Sequence, residues 1–204
     1  MNEHIGEGGP AGAAEPGFTP VPAGDVMIVQ TLVNAYLMPD GVVDDEDNDI
    51  DEVQSFYADP IWKKGGKPAS VRWRFESDSD VPGAYRIRSL PHEKYVGVHN
   101  DWVNPDGTMK PEAKVVLQRT RTSARTSTQL WVPTRIPGVA DVAGQPPVRA
   151  LVQHGTDYAM GTSDYVLNRD AEIHLIRTWE GVPTMYHAFT LIPARDQQAS
   201  QDVR

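Results

Sequence analysis

Between residues 25 and 195 the chain alternates short apolar runs with turn-forming residues, and several runs alternate apolar with polar positions. These runs are Val26 to Val29, Ser70 to Phe75, Tyr85 to Arg88, Lys114 to Leu117, Gln129 to Val132, Glu172 to Ile176 and Ala188 to Ile192. A period of two sends successive side chains to opposite faces of an extended backbone, the sign of a half-buried strand. No window carries apolar positions at helical spacing between caps, so the pattern predicts an all-β protein. Residues 1–24 and 196–204 lack such patterning and read as flexible tails flanking one domain at 25–195.

The runs repeat. Trp73, Trp131 and Phe189 stand near strand ends at two successive separations of 58 residues. Tyr36, Tyr95 and Tyr158 form an upstream set at separations of 59 and 63. Each tyrosine follows a short strand and a tight turn, and precedes a longer loop, a third strand and then the strand with the Trp or Phe. That predicts three units of four strands, twelve in all, at about 25–80, 81–137 and 146–195. One unit alone would expose an apolar face and two sheet edges. Three related by a pseudo-threefold axis close a six-stranded barrel capped by three hairpins, which is the β-trefoil. A non-repeating β-sandwich is the alternative.

Composition narrows the function. The chain has 204 residues, enough for one well-buried domain, and its 17 prolines and 17 glycines suit many short strands and turns. It has no cysteine, which excludes disulfides and thiolate metal sites. A formal net charge of −9 argues against a nucleic-acid partner, which would require a basic footprint. No apolar run reaches the length of a membrane span, and the N-terminal segment has neither the basic nor the apolar stretch of a secretory signal. The compartment stays open between cytoplasm and secretion.

Two family resemblances attach to particular residues. Gln129-Leu130-Trp131 resembles the Q-x-W signature of ricin-type lectins, in which the motif packs the core. The other units read Val71-Arg72-Trp73 and His187-Ala188-Phe189 at that place. The sugar-binding Asp of that family has Met38, Gly97 and Met160 at its nearest matching positions, which weakens sugar binding by that route. Gly83 to Leu90, Lys94 to Val98, Lys114 to Leu117 and Gln129 to Val132 resemble an opening unit of the mushroom trefoil proteinase inhibitors, of mycocypin and cospin type. That resemblance spans roughly a third of the chain and implies inhibition of cysteine or serine proteases by loop insertion, without a cofactor.

The candidate contact residues lie in long loops. His99–Ala113 carries Asn100, Trp102 and Asn104, an aromatic ring among amides that suits a sugar face or a protein pocket, or that folds back as a lid on the barrel. Gly161–Ala171 carries Tyr165, Asn168 and Arg169; either of the last two suits a protease specificity pocket if the chain is an inhibitor, and a surface turn is the plainer reading. Pro39–Glu52 places carboxylates alternately at Asp45, Asp47, Asp49 and Asp51. They form a weak calcium candidate because the EF-hand template fails, and a solvated mobile loop is the plainer reading. Arg119, Arg121 and Arg125 read as a hairpin tip, and His174 and His187 as structural histidines within strands. With no nucleophile motif or zinc spacing, the expectation is a non-enzymatic binding protein. A proteinase inhibitor comes first, a carbohydrate-binding lectin second and a structural or assembly component third.

Overall fold

The computed structural model describes residues 21–32, 34–39, 51–57, 72–98, 102–106, 108–110, 113–118, 128–162 and 170–194, with 51–57 and 170–172 described by backbone alone. Twelve strands occur among them: β1 Asp25–Gln30, β2 Ala35–Pro39, β3 Asp51–Tyr57, β4 Trp73–Ser77, β5 Tyr85–Ser89 and β6 Tyr95–Val98. There follow β7 Val115–Gln118, β8 Trp131–Thr134, β9 Val148–Gln153, β10 Tyr158–Thr162, β11 Asp170–Arg177 and β12 Ala188–Pro193. A 3-10 turn, Met185–His187, leads into β12. Among the described residues no helix is long and apolar enough to cross a membrane.

Six strands close a ring. Antiparallel pairing runs from β1 to β4, β5, β8, β9, β12 and back to β1. Closure leaves no free edge in the ring and excludes an open sandwich. The other six strands form the hairpins β2–β3, β6–β7 and β10–β11. These hairpins meet across the barrel mouth: β3 pairs with both β7 and β11, and a bridge joins Lys114 to His174.

The anchors explain why this sequence closes. Trp73 sits opposite Val26, Trp131 opposite Tyr85 and Phe189 opposite Arg149, so each aromatic meets the opening strand of its own segment. All three are fully buried. Trp73 Nε1 donates to the Leu37 carbonyl oxygen at 3.1 Å, and Trp131 Nε1 to that of Val96 at 2.9 Å. In both cases the acceptor is the residue after the anchoring tyrosine. Val26, Ile28, Ile87, Leu151 and Leu191 from the ring meet Leu37, Val96, Val98, Leu117, Met160 and Leu175 from the hairpins in one core. A smaller cluster of Ile136, Ala150 and Ala188 lies beneath the β8–β9 connection. There Arg149, buried, reaches both oxygens of Asp141 at 2.7 and 3.1 Å, and Arg135 adds a 3.3 Å contact. These arginines hold the Asp141 carboxyl below its usual pKa, the Arg149 hydrogen bond foremost.

Several boundaries differ from the sequence expectation. Val21, placed in the tail, is buried in the core; a lone valine between prolines gives no periodic signal. The strand expected at 70–75 runs over Trp73–Ser77, because pairing with β5 continues to Ser77 opposite Tyr85. The acidic segment is shorter than a loop over 39–52. Pro39 ends β2, while Asp51 and Glu52 open β3 opposite Leu117 and Val116, where ladder pairing overrides their poor strand propensity. Gly161 and Thr162 extend β10, and Asp170 and Ala171 open β11, which trims the expected loop at both ends. His174 lies within β11, whereas His187 ends the 3-10 turn and is not in a strand.

Candidate functional site

An open arrangement of aromatic and charged side chains lies where the β9–β10 turn meets the β11–β12 connection. The first wall is the turn at His154–Asp157. Gly155 takes a φ of +76°, and Thr156 bonds back to the Gln153 carbonyl through its amide at 3.2 Å and its hydroxyl at 3.0 Å. Thr178 then binds the Asp157 carbonyl oxygen through its amide at 2.8 Å and its hydroxyl at 2.7 Å, and Arg177 Nε donates to Asp157 Oδ2 at 2.7 Å. Those contacts staple the end of β11 to the turn. The Arg177 hydrogen bond keeps the Asp157 carboxyl below its usual pKa, and the same bond raises that of Arg177.

The second wall is a two-residue turn. Trp179 and Val182 pair as a bridge, with the Val182 amide donating to the Trp179 carbonyl at 2.8 Å. Glu180 and Gly181 between them take φ values of +50° and +76°, the signs that a type I′ hairpin requires. Glycine meets that demand freely; glutamate does not, since its Cβ crowds the backbone in the left-handed region. The tight turn directs Trp179 outward, and the residue stays 77% exposed.

The floor is the 3-10 turn. His187 is buried, and its Nδ1 accepts the Thr184 amide at 3.0 Å and lies 3.1 Å from the Thr184 hydroxyl. That geometry places the ring proton on Nε2, which is buried and meets no hydrogen-bond partner. Burial holds the His187 pKa below its ordinary value, in keeping with the acceptor role of Nδ1. Tyr186, 49% exposed, stands beside it. Asp157, Arg177, Trp179, Glu180, Tyr186 and His187 thus share one open cleft of about 700 Å³.

Of the residues expected to make contacts, two are described. Trp102 is half-buried and packs against the main core, and its carbonyl accepts the Lys110 amide at 2.8 Å. Asn104 closes the same small hairpin, its amide bonding the Thr108 carbonyl at 2.8 Å and its Nδ2 the Thr108 hydroxyl at 2.9 Å. Asp106 accepts the Thr108 hydroxyl at 2.7 Å, which lowers the Asp106 pKa. The structure therefore brings Trp102 and Asn104 into one hairpin that turns the indole towards the barrel. Asn100, Tyr165, Asn168, Arg169, Asp45, Asp47, Asp49 and the Arg119–Arg125 run lie outside the described residues, and Asp51 is described as backbone in β3. The cleft itself was missed by the sequence reading. Its available signal was Trp179, a tryptophan out of step with the 58-residue anchors and followed at once by Glu180-Gly181.

No protein-family model matches the chain, and no curated protein matches it in sequence. Solved structures do match in fold. The designed threefold-symmetric protein ThreeFoil aligns over 83% of this chain and 98% of its own, with a TM-score of 0.57 and 15% identity. The Macrolepiota procera ricin B-like lectin, solved with lactose, aligns over 83% and 94%, with a TM-score of 0.55 and 17% identity. The Haemophilus ducreyi cytolethal distending toxin aligns over 91% and 90%, with a TM-score of 0.55 and 10% identity. Likeness at these identities establishes a fold resembling the β-trefoil and carries no ligand with it.

Proposed function

We propose that the chain is a non-catalytic carbohydrate-binding protein, built of three four-stranded trefoil units, that receives a sugar in the cleft of the third unit. The observation that carries this reading is Trp179, exposed at the rim of a cleft and held by a rigid turn. A pyranose ring has an apolar C–H face and a rim of hydroxyls. The first suits the negative face of an indole, and the second suits nearby carboxylate, hydroxyl and amide groups. Trp179 and Tyr186 supply the faces; Asp157, Glu180 and Thr184 supply polar groups beside them. Because the turn and its staples are set before binding, little side-chain and loop entropy is lost on association.

A glycan array run with the wild type, Trp179→Ala and Trp102→Ala tests this reading. Glycan binding that disappears in Trp179→Ala and persists in Trp102→Ala is expected. Silence of the wild type across the array overturns it. The proteinase-inhibitor reading rests on the resemblance in the middle unit and on Asn168 and Arg169 in the segment Gly161–Ala171. Stoichiometric loss of papain-like or trypsin-like activity, unaffected by Trp179→Ala, would put it in place of the glycan reading.

A further inference from the structure

We propose that the cleft prefers a sugar bearing a free, protonated amine, such as a deacetylated hexosamine, over its neutral N-acetylated counterpart. This inference rests on the glycan reading of the same cleft and adds the charge of the ligand. Its basis is a local imbalance. Three fixed charges line the cleft: Asp157, Arg177 and Glu180. Asp157 and Arg177 satisfy each other through a 2.7 Å ion pair. His187 contributes no positive charge, since a proton added at Nδ1 would displace the Thr184 amide that this nitrogen accepts. Glu180 is left as the excess negative charge, and among the described residues no cation pairs with it.

The position of Glu180 adds a second, independent observation. Asparagine, aspartate or glycine suits the left-handed site of a type I′ turn, and glutamate there works against the backbone. Asn34 and Glu93 also take positive φ values away from the cleft, so the strain at Glu180 counts only together with the exposed rings beside it. Its carboxylate and the Trp179 and Tyr186 rings attract the same partner, because a cation gains from the negative face of an aromatic ring as well as from a carboxylate. The chain's net charge of −9 adds a long-range attraction of the same sign. A carboxylated or sulfated sugar would meet only repulsion at Glu180.

Isothermal titration calorimetry of the full chain with glucosamine oligomers and with N-acetylglucosamine oligomers of equal length tests the proposal. The deacetylated series should bind about fivefold more tightly at low salt, the scale of one exposed ion pair with a cation–π contribution, and the preference should shrink as salt rises. Glu180→Gln should abolish the preference, so that the two series bind with the same affinity. Glu180→Gly, which suits the turn better, should do the same and guards against a folding defect in the first variant. Equal affinities for the two series, or a preference that survives both variants, would overturn the charge assignment and leave the glycan reading standing. Binding of neither series, with a silent array, overturns both.

Discussion

Trp131→Phe isolates the contribution of one aromatic anchor. The substitution deletes the indole N–H that donates 2.9 Å to the Val96 carbonyl oxygen, and Val96 and Trp131 are both fully buried. A buried acceptor left without its donor costs about 1–3 kcal/mol. The missing part of the indole adds a cavity penalty of about 24 cal/mol per Å³ that the core fails to refill. Together they predict a loss of about 2–4 kcal/mol, or a fall in Tm of about 4–16 °C for a domain of this size. Urea unfolding followed by far-UV circular dichroism reads this directly. The midpoint should fall while the slope stays constant, since the surface exposed on unfolding barely changes. Trp179→Phe, at an exposed ring, serves as the control and should stay within about 0.5 kcal/mol of the wild type. If Trp131→Phe is as mild as that control, Trp131 does not hold the hairpin to the barrel as described.

Other perturbations separate the remaining contacts. A Cβ added at Gly97 would stand 2.9 Å from Gln129 Cγ and 3.3 Å from the Thr128 carbonyl oxygen, so Gly97→Ala should cost about 1–3 kcal/mol in urea unfolding. Gly161→Ala should cost less, because its shortest contact, 2.7 Å, is with the mobile tip of Ile176. Arg149→Met strips Asp141 of its two shortest contacts and should lower stability by about 1–3 kcal/mol, readable as a Tm shift. His187 has a folded pKa below its unfolded value of 6.5, so as pH falls past that point the unfolded chain takes up the proton first. Stability should therefore decline on acidification from about pH 6.5, and level off once the folded pKa is passed. His187→Gln should flatten that segment of the curve. The depressed carboxyls of Asp141 and Asp157 act lower: their contribution is present above about pH 4 and lost as pH falls through their folded pKa values.

The barrel was legible because its cause is periodic. Trp73, Trp131 and Phe189 fill equivalent places, and unequal loops that offset one another keep them 58 residues apart. The Q-x-W likeness also has a local explanation. Gln129 lies against Gly97, close enough that no larger residue fits there, so glutamine and glycine are chosen together. Single contacts left no such trace. Val21 is one apolar residue in a proline-rich stretch, and its burial comes from joining the main core. Trp102 reads the same whether it faces solvent or core, because hydropathy does not encode direction outside a strand. The cleft was illegible for a further reason. Asp157, Trp179 and His187 are 30 residues apart at the widest, and the Thr178 and Arg177 staples that unite them are visible only in three dimensions.

Indole-resolved NMR puts the binding reading to its hardest trial. With the protein labelled with ¹⁵N, an amino-sugar oligomer titrated into it should move the Trp179 Nε1–H resonance. Those of Trp73 and Trp131, sealed in the barrel with their donors engaged, should stay fixed. Movement confined to the Trp102 resonance, or none at all at saturating sugar, would contradict the assignment of the third-unit cleft as the place where this protein meets its ligand.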